Sequence, residues 1–185
     1  MSKKVTTKSL VTVGMFAAVL VILSQVQVNL PSGVPVTLQT FAIALAGYTL
    51  GKKLGIATVF LYILLGAIGI PVFAGFKGGL EAILGYTGGF IVGFPFMAYL
   101  CGMRETYFMR FKPTKSQRFF ISLALGLIGL IIVHTLGIMQ YSKLAGLGFI
   151  EGFLVVSLPF LIKDVLSITA AIYLGDIIKD RIKKI

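Results

Sequence analysis

The sequence predicts an all-α integral membrane protein with six transmembrane helices, both termini in the cytoplasm and a ligand cavity open to the outside. Three observations predict it. Of the 185 residues, 57% are hydrophobic and the mean hydropathy is +1.00, which fits one compact membrane unit over 1–185 rather than a soluble domain with a polar surface. Six apolar segments can be drawn, Leu10 to Val28, Leu38 to Leu50, Leu54 to Ile70, Leu80 to Met103, Phe119 to Gln140 and Pro159 to Ile178. An even number of spans returns both termini to one side, and the charges agree. Lys3, Lys4 and Lys8, then Lys52 and Lys53, then Arg104, Arg110, Lys112, Lys115 and Arg118, then Lys179, Arg181, Lys183 and Lys184 fall on one set of connections, 14 of the 17 cations. Only Lys77 and Lys143 fall on the other set, and Lys163 falls inside a segment, so the first set is cytoplasmic. The net charge of +11 therefore flanks apolar runs and forms no basic face for nucleic acid.

The first segment follows three lysines, as a secretion signal would. It is long and runs into SQVQVNLPSG with no small-residue cleavage site, so it reads as a retained helix. Gly14 and Ala18 stand one turn apart on it, a spacing that lets another helix approach closely, either from this chain or from a partner subunit. The second segment has thirteen residues, about 20 Å of helix against the roughly 30 Å of a bilayer core. The preceding VQVNLPSGVPVT, uncharged and broken by two prolines and a glycine, is expected to complete that crossing as a loop dipping into the outer leaflet. This brings Gln39 toward the cavity. GYTLG at Gly47 to Gly51 and GYTGG at Gly85 to Gly89 look alike, but five residues are too few to build a repeat on.

From the end of the third segment into the start of the fourth, Pro71 to Phe90 places glycines, a lysine and a glutamate in otherwise membrane-grade sequence. Irregular backbone at membrane depth persists only where protein or a watery cavity satisfies it. Lys77, beside Gly78 and Gly79, reads either as a ligand contact next to exposed amides or as a solvated loop lysine. Glu81 reads as a first-turn acid favoured by the helix dipole. Tyr86 could wall a flat ligand, as could Phe73, Phe76 and Tyr141, or these rings anchor the membrane boundary.

In the fourth segment, the single cysteine, Cys101, excludes an intramolecular disulfide framework and a CxxC metal or redox pair. His134 in the fifth reads as a core histidine satisfied by hydrogen bonding. The sixth carries the sharpest residue, Asp164, where a charge at helix centre costs on the order of 3 kcal/mol. With Pro159 in the first turn, Asp164 lies about one and a half turns in, at cavity depth. It is either a dipole-favoured acid or a ligand-facing carboxylate, and adjacent Lys163, pointing about 100° away, is read as a poor partner for it.

No GxxxxGK[ST] phosphate loop, GxSxG elbow or HExxH zinc motif occurs, so neither ATP hydrolysis nor an intramembrane active site is expected. The rival enzyme reading would rest on Glu81, Glu151 or Asp164 as general acid or base without a nucleophile or metal. An autonomous ion-coupled carrier is a further alternative.

VPVTLQTFAIALAG at Val34 to Gly47, LLGAIGIPVFAGFKGGLEAILGYTGGF at Leu64 to Phe90 and LPFLIKDVL at Leu158 to Leu166 together resemble the BioY family, the biotin-specific substrate-binding subunits, or S components, of energy-coupling factor transporters. The resemblance implies a multi-pass protein of the prokaryotic cell membrane that captures biotin outside and reorients on docking to a transmembrane coupling subunit, with two cytoplasmic ATPase subunits driving the cycle. It implies no catalytic residue, no metal and no resident cofactor, biotin being the cargo and ATP being used by the partners. It places Asp164 on the biotin ureido ring, whose N–H groups suit a carboxylate, with Lys77, Gln39, Gly78, Gly79, Tyr86 and Lys163 around the ligand and Gly14 and Ala18 on the docking face. Four positions depart from the family pattern. Lys77 replaces an expected neutral amide, Lys163 a glycine, and Ser167 a lysine for which Lys163 could substitute. Gln140 stands where relatives often carry tryptophan. An S component for another vitamin, thiamine or riboflavin, shares this architecture and is the nearest rival.

Overall fold

A computed structural model describes residues 6–182; Lys3, Lys4, Lys183 and Lys184 of the charge pattern lie outside the described residues. The first helix, α1 (Thr7–Gln25), starts at Thr6, whose hydroxyl accepts the Ser9 N–H at 3.2 Å, the usual way an N-cap satisfies an orphan amide. It ends three residues before the expected Val28. Gln27 and Val28 instead form β1 (Gln27–Val28), pairing antiparallel with β2 (Val36–Thr37) in the register Gln27↔Thr37, Val28↔Val36. The loop expected ahead of the short second helix is thus a small hairpin, which satisfies its own backbone by strand pairing.

The second and third apolar segments lie in one continuous element, α2 (Gln39–Ala67), which folds back on itself. Gly51 has φ +76° inside it, a conformation that costs glycine little. A Cβ on Gly55 would lie 3.0 Å from the Gly47 Cα, whereas residues eight apart in a straight helix are about 12 Å apart. Gln39 Nε2 likewise donates to the Tyr62 hydroxyl at 2.7 Å, 23 residues away. The arms, residues 39–50 and 52–67, therefore run antiparallel.

The expected fourth helix is two, α3 (Leu80–Leu84) and α4 (Gly88–Phe111), because the Gly85-Tyr86-Thr87 turn interrupts it. α5 (Lys115–Ala145) opens on a capping box in which Thr114 and Gln117 satisfy each other's backbone amides and outruns its expected ends. α6 (Phe149–Val156) lies between the fifth and sixth apolar segments, where no helix is expected. It bends by 57° into α7 (Leu158–Ile182), where Pro159 stands in the first turn as expected.

α4 packs against both α2 and α5, and α7 packs against α2 and, less extensively, α5. Ile43, Tyr48, Tyr62, Met97 and Ile168 are fully buried at the centre. α4 and α5 meet backbone to backbone, since a Cβ on Gly89 would fall 2.1 Å from the Leu136 carbonyl oxygen. Among the described residues, α1, α2 and α5 are long and apolar enough to cross a membrane, and the bent α6–α7 pair adds a fourth if counted as one span.

A ligand cavity around Asp164

One end of the helix cluster holds a cavity whose walls come from the β2 strand, α2, the 71–79 loop, α4, α5 and α7. Counted together with its open mouth, the space amounts to about 700 Å³. Phe73, Phe90, Phe94, Phe160 and Val133 give it apolar walls. Its polar groups converge on one place. Asp164, on the second turn of α7, is 2% exposed, and its Oδ2 lies 3.0 Å from His134 Nε2 of α5. His134 Nδ1 is 2.7 Å from the hydroxyl of Ser157, the residue at the α6–α7 bend. The Lys163 ammonium bonds Asp164 Oδ1 and also donates to the Thr37 carbonyl of β2 at 2.8 Å.

Two sequence readings are corrected here. Lys163 is a partner of Asp164 after all, because its flexible four-carbon stem curls back across the 100° between the two Cβ directions. His134 is satisfied by hydrogen bonds as expected, but its partner is the candidate ligand acid, and both line the cavity. The link spans 30 residues of chain, and only the presence of a lone histidine in an apolar helix hinted at it.

Gln39 is buried at the start of α2 with its amide accounted for. Its Oε1 accepts from Thr37 Oγ1 at 2.9 Å while its Nε2 donates to Tyr62, so it braces the hairpin against α2 at the cavity wall. Lys77 borders the cavity and also a shallower hollow beside it that takes in Gly78, Glu81 and Tyr86. Lys77 is exposed. Gly79 N–H is committed to the Gly66 carbonyl at 2.7 Å, which corrects the reading of that amide as a ligand donor. A Cβ on Gly78 would strike the Ile70 carbonyl oxygen at 2.5 Å, so this glycine permits two backbones to cross. Tyr86 stacks at a tilt on Tyr141, 5.3 Å between centroids, and Glu81 sits in the first turn of the short α3.

The 71–79 loop is held from α1. Ser24 Oγ donates to the Val72 carbonyl at 2.7 Å, Gln25 Nε2 to the Phe73 carbonyl at 3.1 Å, and Gln25 Oε1 accepts the Phe76 N–H at 2.9 Å. Phe76 itself has φ +55°, a costly conformation for a bulky residue, within a tight turn closed by the Phe73 N–H to Lys77 carbonyl bond at 2.9 Å. From α5, Gln140 Nε2 donates to the Ile83 and Gly85 carbonyls at 2.9 and 2.7 Å and props up the following turn.

Ser157, His134 and Asp164 are the residue types of a hydrolytic triad, but in reverse sense. The acid lines the cavity and the serine, fully buried, lies behind the histidine. A nucleophile must reach substrate, and here the cavity meets only the carboxylate and the imidazole. Among the described residues, no group of three His, Cys, Asp or Glu could hold a metal ion. The arrangement suits capture of a small molecule with an apolar body and N–H donors, which charge-assisted bonds to Asp164 would orient.

Membrane-grade helices around a small-molecule cavity with one buried carboxylate define a membrane-embedded substrate-binding protein. Comparison with known proteins names the family. The profile described as BioY family matches residues 1–184. A probable biotin transporter BioY of Pyrococcus horikoshii is 35% identical over 91% of this chain and 94% of its own length. The biotin transporter BioY of Thermotoga maritima is 35% identical over 89% and 91%. The chain belongs to the BioY family. Its fold matches the crystal structure of the S-component for biotin from an ECF-type ABC transporter with a TM-score of 0.82, at 26% identity, over 97% of this chain and 95% of that one. These relatives are named as transporters, not enzymes.

Proposed function

We propose that this chain binds biotin and carries it across the prokaryotic cell membrane as the substrate-binding S component of an ATP-driven energy-coupling factor transporter, forming a single S-component domain over 1–185. The observation that carries the reading is the buried Asp164 carboxylate facing an aromatic cavity in a chain whose relatives, over nine-tenths of their length, are named biotin transporters. A carboxylate accepts the ureido N–H groups of biotin, and the rings of Phe73, Phe90 and Phe160 supply apolar surface for its bicyclic body and chain. Lys77, at the mouth, is placed to attract the ligand carboxylate from solution.

In this reading α1, the two arms of α2, α4, α5 and α7 are the six spans. The cavity faces outward because Lys52, Lys53, Arg110, Lys112, Lys115 and Arg118 gather at the turns away from it, as cytoplasmic connections do. Gly14 and Ala18 are exposed on α1, with no atom within 4 Å of a Cβ built on Gly14. That open small-residue stripe fits close docking of the transmembrane coupling subunit, which with two ATPase subunits completes the transporter.

The test is a titration of the purified protein in detergent with biotin, thiamine and riboflavin. Biotin is expected to bind with the highest affinity of the three. Tighter binding of either other vitamin would overturn the assignment while leaving the fold intact.

A further inference from the structure

We propose that His134 is the positioning residue for the ligand-binding acid, held in place by Ser157 so that Asp164 presents its carboxylate to the ligand in one fixed orientation. This rests on the biotin-binding reading above and adds to it a residue that the sequence assigned to the core.

Asp164 alone on a helix could turn its carboxylate about the terminal side-chain torsion, which is broad and nearly two-fold. Here both oxygens are pinned. Lys163 bonds Oδ1 and His134 holds Oδ2 at 3.0 Å. Lys163 is a flexible clamp with a quarter of its side chain exposed. His134 is the rigid one. Its ring sits edge-on to Phe90 at 5.7 Å and against Phe160 at 6.4 Å, and its far nitrogen is anchored 2.7 Å from Ser157 Oγ. Ser157 is itself fixed at the α6–α7 bend, where its N–H donates to the Phe153 carbonyl. An ionised carboxylate only accepts, so the bond to Asp164 requires the proton on Nε2, and in the neutral ring of that tautomer Nδ1 accepts from the Ser157 hydroxyl. An ionised carboxylate offers about four lone-pair sites. His134, Lys163 and the Thr40 side chain occupy part of that capacity, and what remains is offered to a ligand N–H in one orientation.

A residue that acts through another shows itself in a double-mutant cycle. Biotin affinity is measured by calorimetry for the unaltered protein, His134→Ala, Asp164→Asn and the double variant, with the unfolding midpoint of each recorded. Loss of one hydrogen bond to a charged group predicts that His134→Ala alone weakens binding about ten- to a hundredfold. In the Asp164→Asn background the same change is expected to alter affinity by less than about twofold. His134→Gln, whose amide can both donate to Asp164 and accept from Ser157, is expected to recover most of the loss. Additive losses, or wild-type affinity in His134→Ala, overturn the proposal. If His134→Ala does not fold, Ser157→Ala takes its place in the cycle. It is expected to cost about three- to tenfold, the effect of one ordinary hydrogen bond felt at second hand, and to lose that cost in the Asp164→Asn background; additivity there overturns the proposal equally. The two levels of the account fail differently. An unaltered protein that binds no biotin removes the functional reading and this proposal with it, whereas additive losses in a protein that binds biotin remove the proposal alone.

Discussion

Two clusters of buried charge lie about 18 Å apart along α7, by helix rise between Asp164 and Asp176, and they are built to opposite ends. Around Asp164 the polar groups border open space. The Arg104 guanidinium itself lines none, although its partner Asp176 opens onto a hollow between α4, α5 and α7. The Arg104 side chain is 1% exposed; Nη2 pairs with Asp176 Oδ1 at 2.7 Å and donates to the Tyr48 carbonyl at 2.8 Å, and the guanidinium lies 4.7 Å over the Tyr48 ring. The Tyr48 hydroxyl donates to the Ser122 carbonyl at 2.7 Å, and a Cβ on nearby Gly126 would come within 2.3 Å of that hydroxyl. One arginine thus ties together α2, α4 and α7, with Lys179 and Glu105 pairing beside it. Buried charge alone does not mark a binding site. On the proposed reading it does so when the charged group faces a cavity, as Asp164 does, and it marks a structural clamp when the group is enclosed by protein, as Arg104 is.

The comparison breaks if the two clusters respond alike. The largest effect is expected at the closed one. Arg104→Ala removes a large packed side chain together with its bonds to Tyr48 and Asp176, and is expected to cost about 2–4 kcal/mol of stability in detergent unfolding. Since Asp176 is 59% exposed, the ion pair is screened and little of that cost comes from a stranded charge. Biotin affinity of the folded fraction is expected to stay within about twofold, the two sites being distant; a large loss of affinity would erase the distinction. A smaller effect is expected at the open end from Gln25→Ala, which removes the bonds to Phe73 and Phe76 that help hold the 71–79 loop on α1. About three- to tenfold weaker biotin binding is expected, from one or two neutral hydrogen bonds that hold a strained turn over the cavity. The unfolding midpoint should change little, and a large drop in the midpoint with unchanged binding would make this loop part of the scaffold instead.

Much of this was legible in the sequence, and the failures share a cause. Asp164 stood out because an acid inside an apolar run has few bland explanations, and Pro71 to Phe90 stood out because lipid tolerates neither its glycines nor its lysine. The short second segment correctly announced an irregular approach, although strand pairing at Gln27 to Thr37 could not be read from it. His134 was assigned to the core because its two partners lie 23 and 30 residues away, a relation set by the packing of α5 against α7. Lys163 was set aside on Cβ direction, which neglects the reach of a long side chain. Arg104 was counted among the connecting cations because the fourth segment was ended at Met103, whereas α4 runs on to Phe111 and carries it inside the fold. Local pattern reveals which residues are out of place; only tertiary packing decides which of them face a cavity.

The central claim is that Asp164 is the ligand-binding acid, and it is tested most directly by titrating biotin into Asp164→Asn beside the unaltered protein. The change preserves shape and removes the charge. Charge-assisted bonds to the ligand are lost, so affinity is expected to fall about a hundredfold while the unfolding midpoint of the ligand-free protein holds. Asp164→Asn binding biotin as tightly as the unaltered protein would contradict the account.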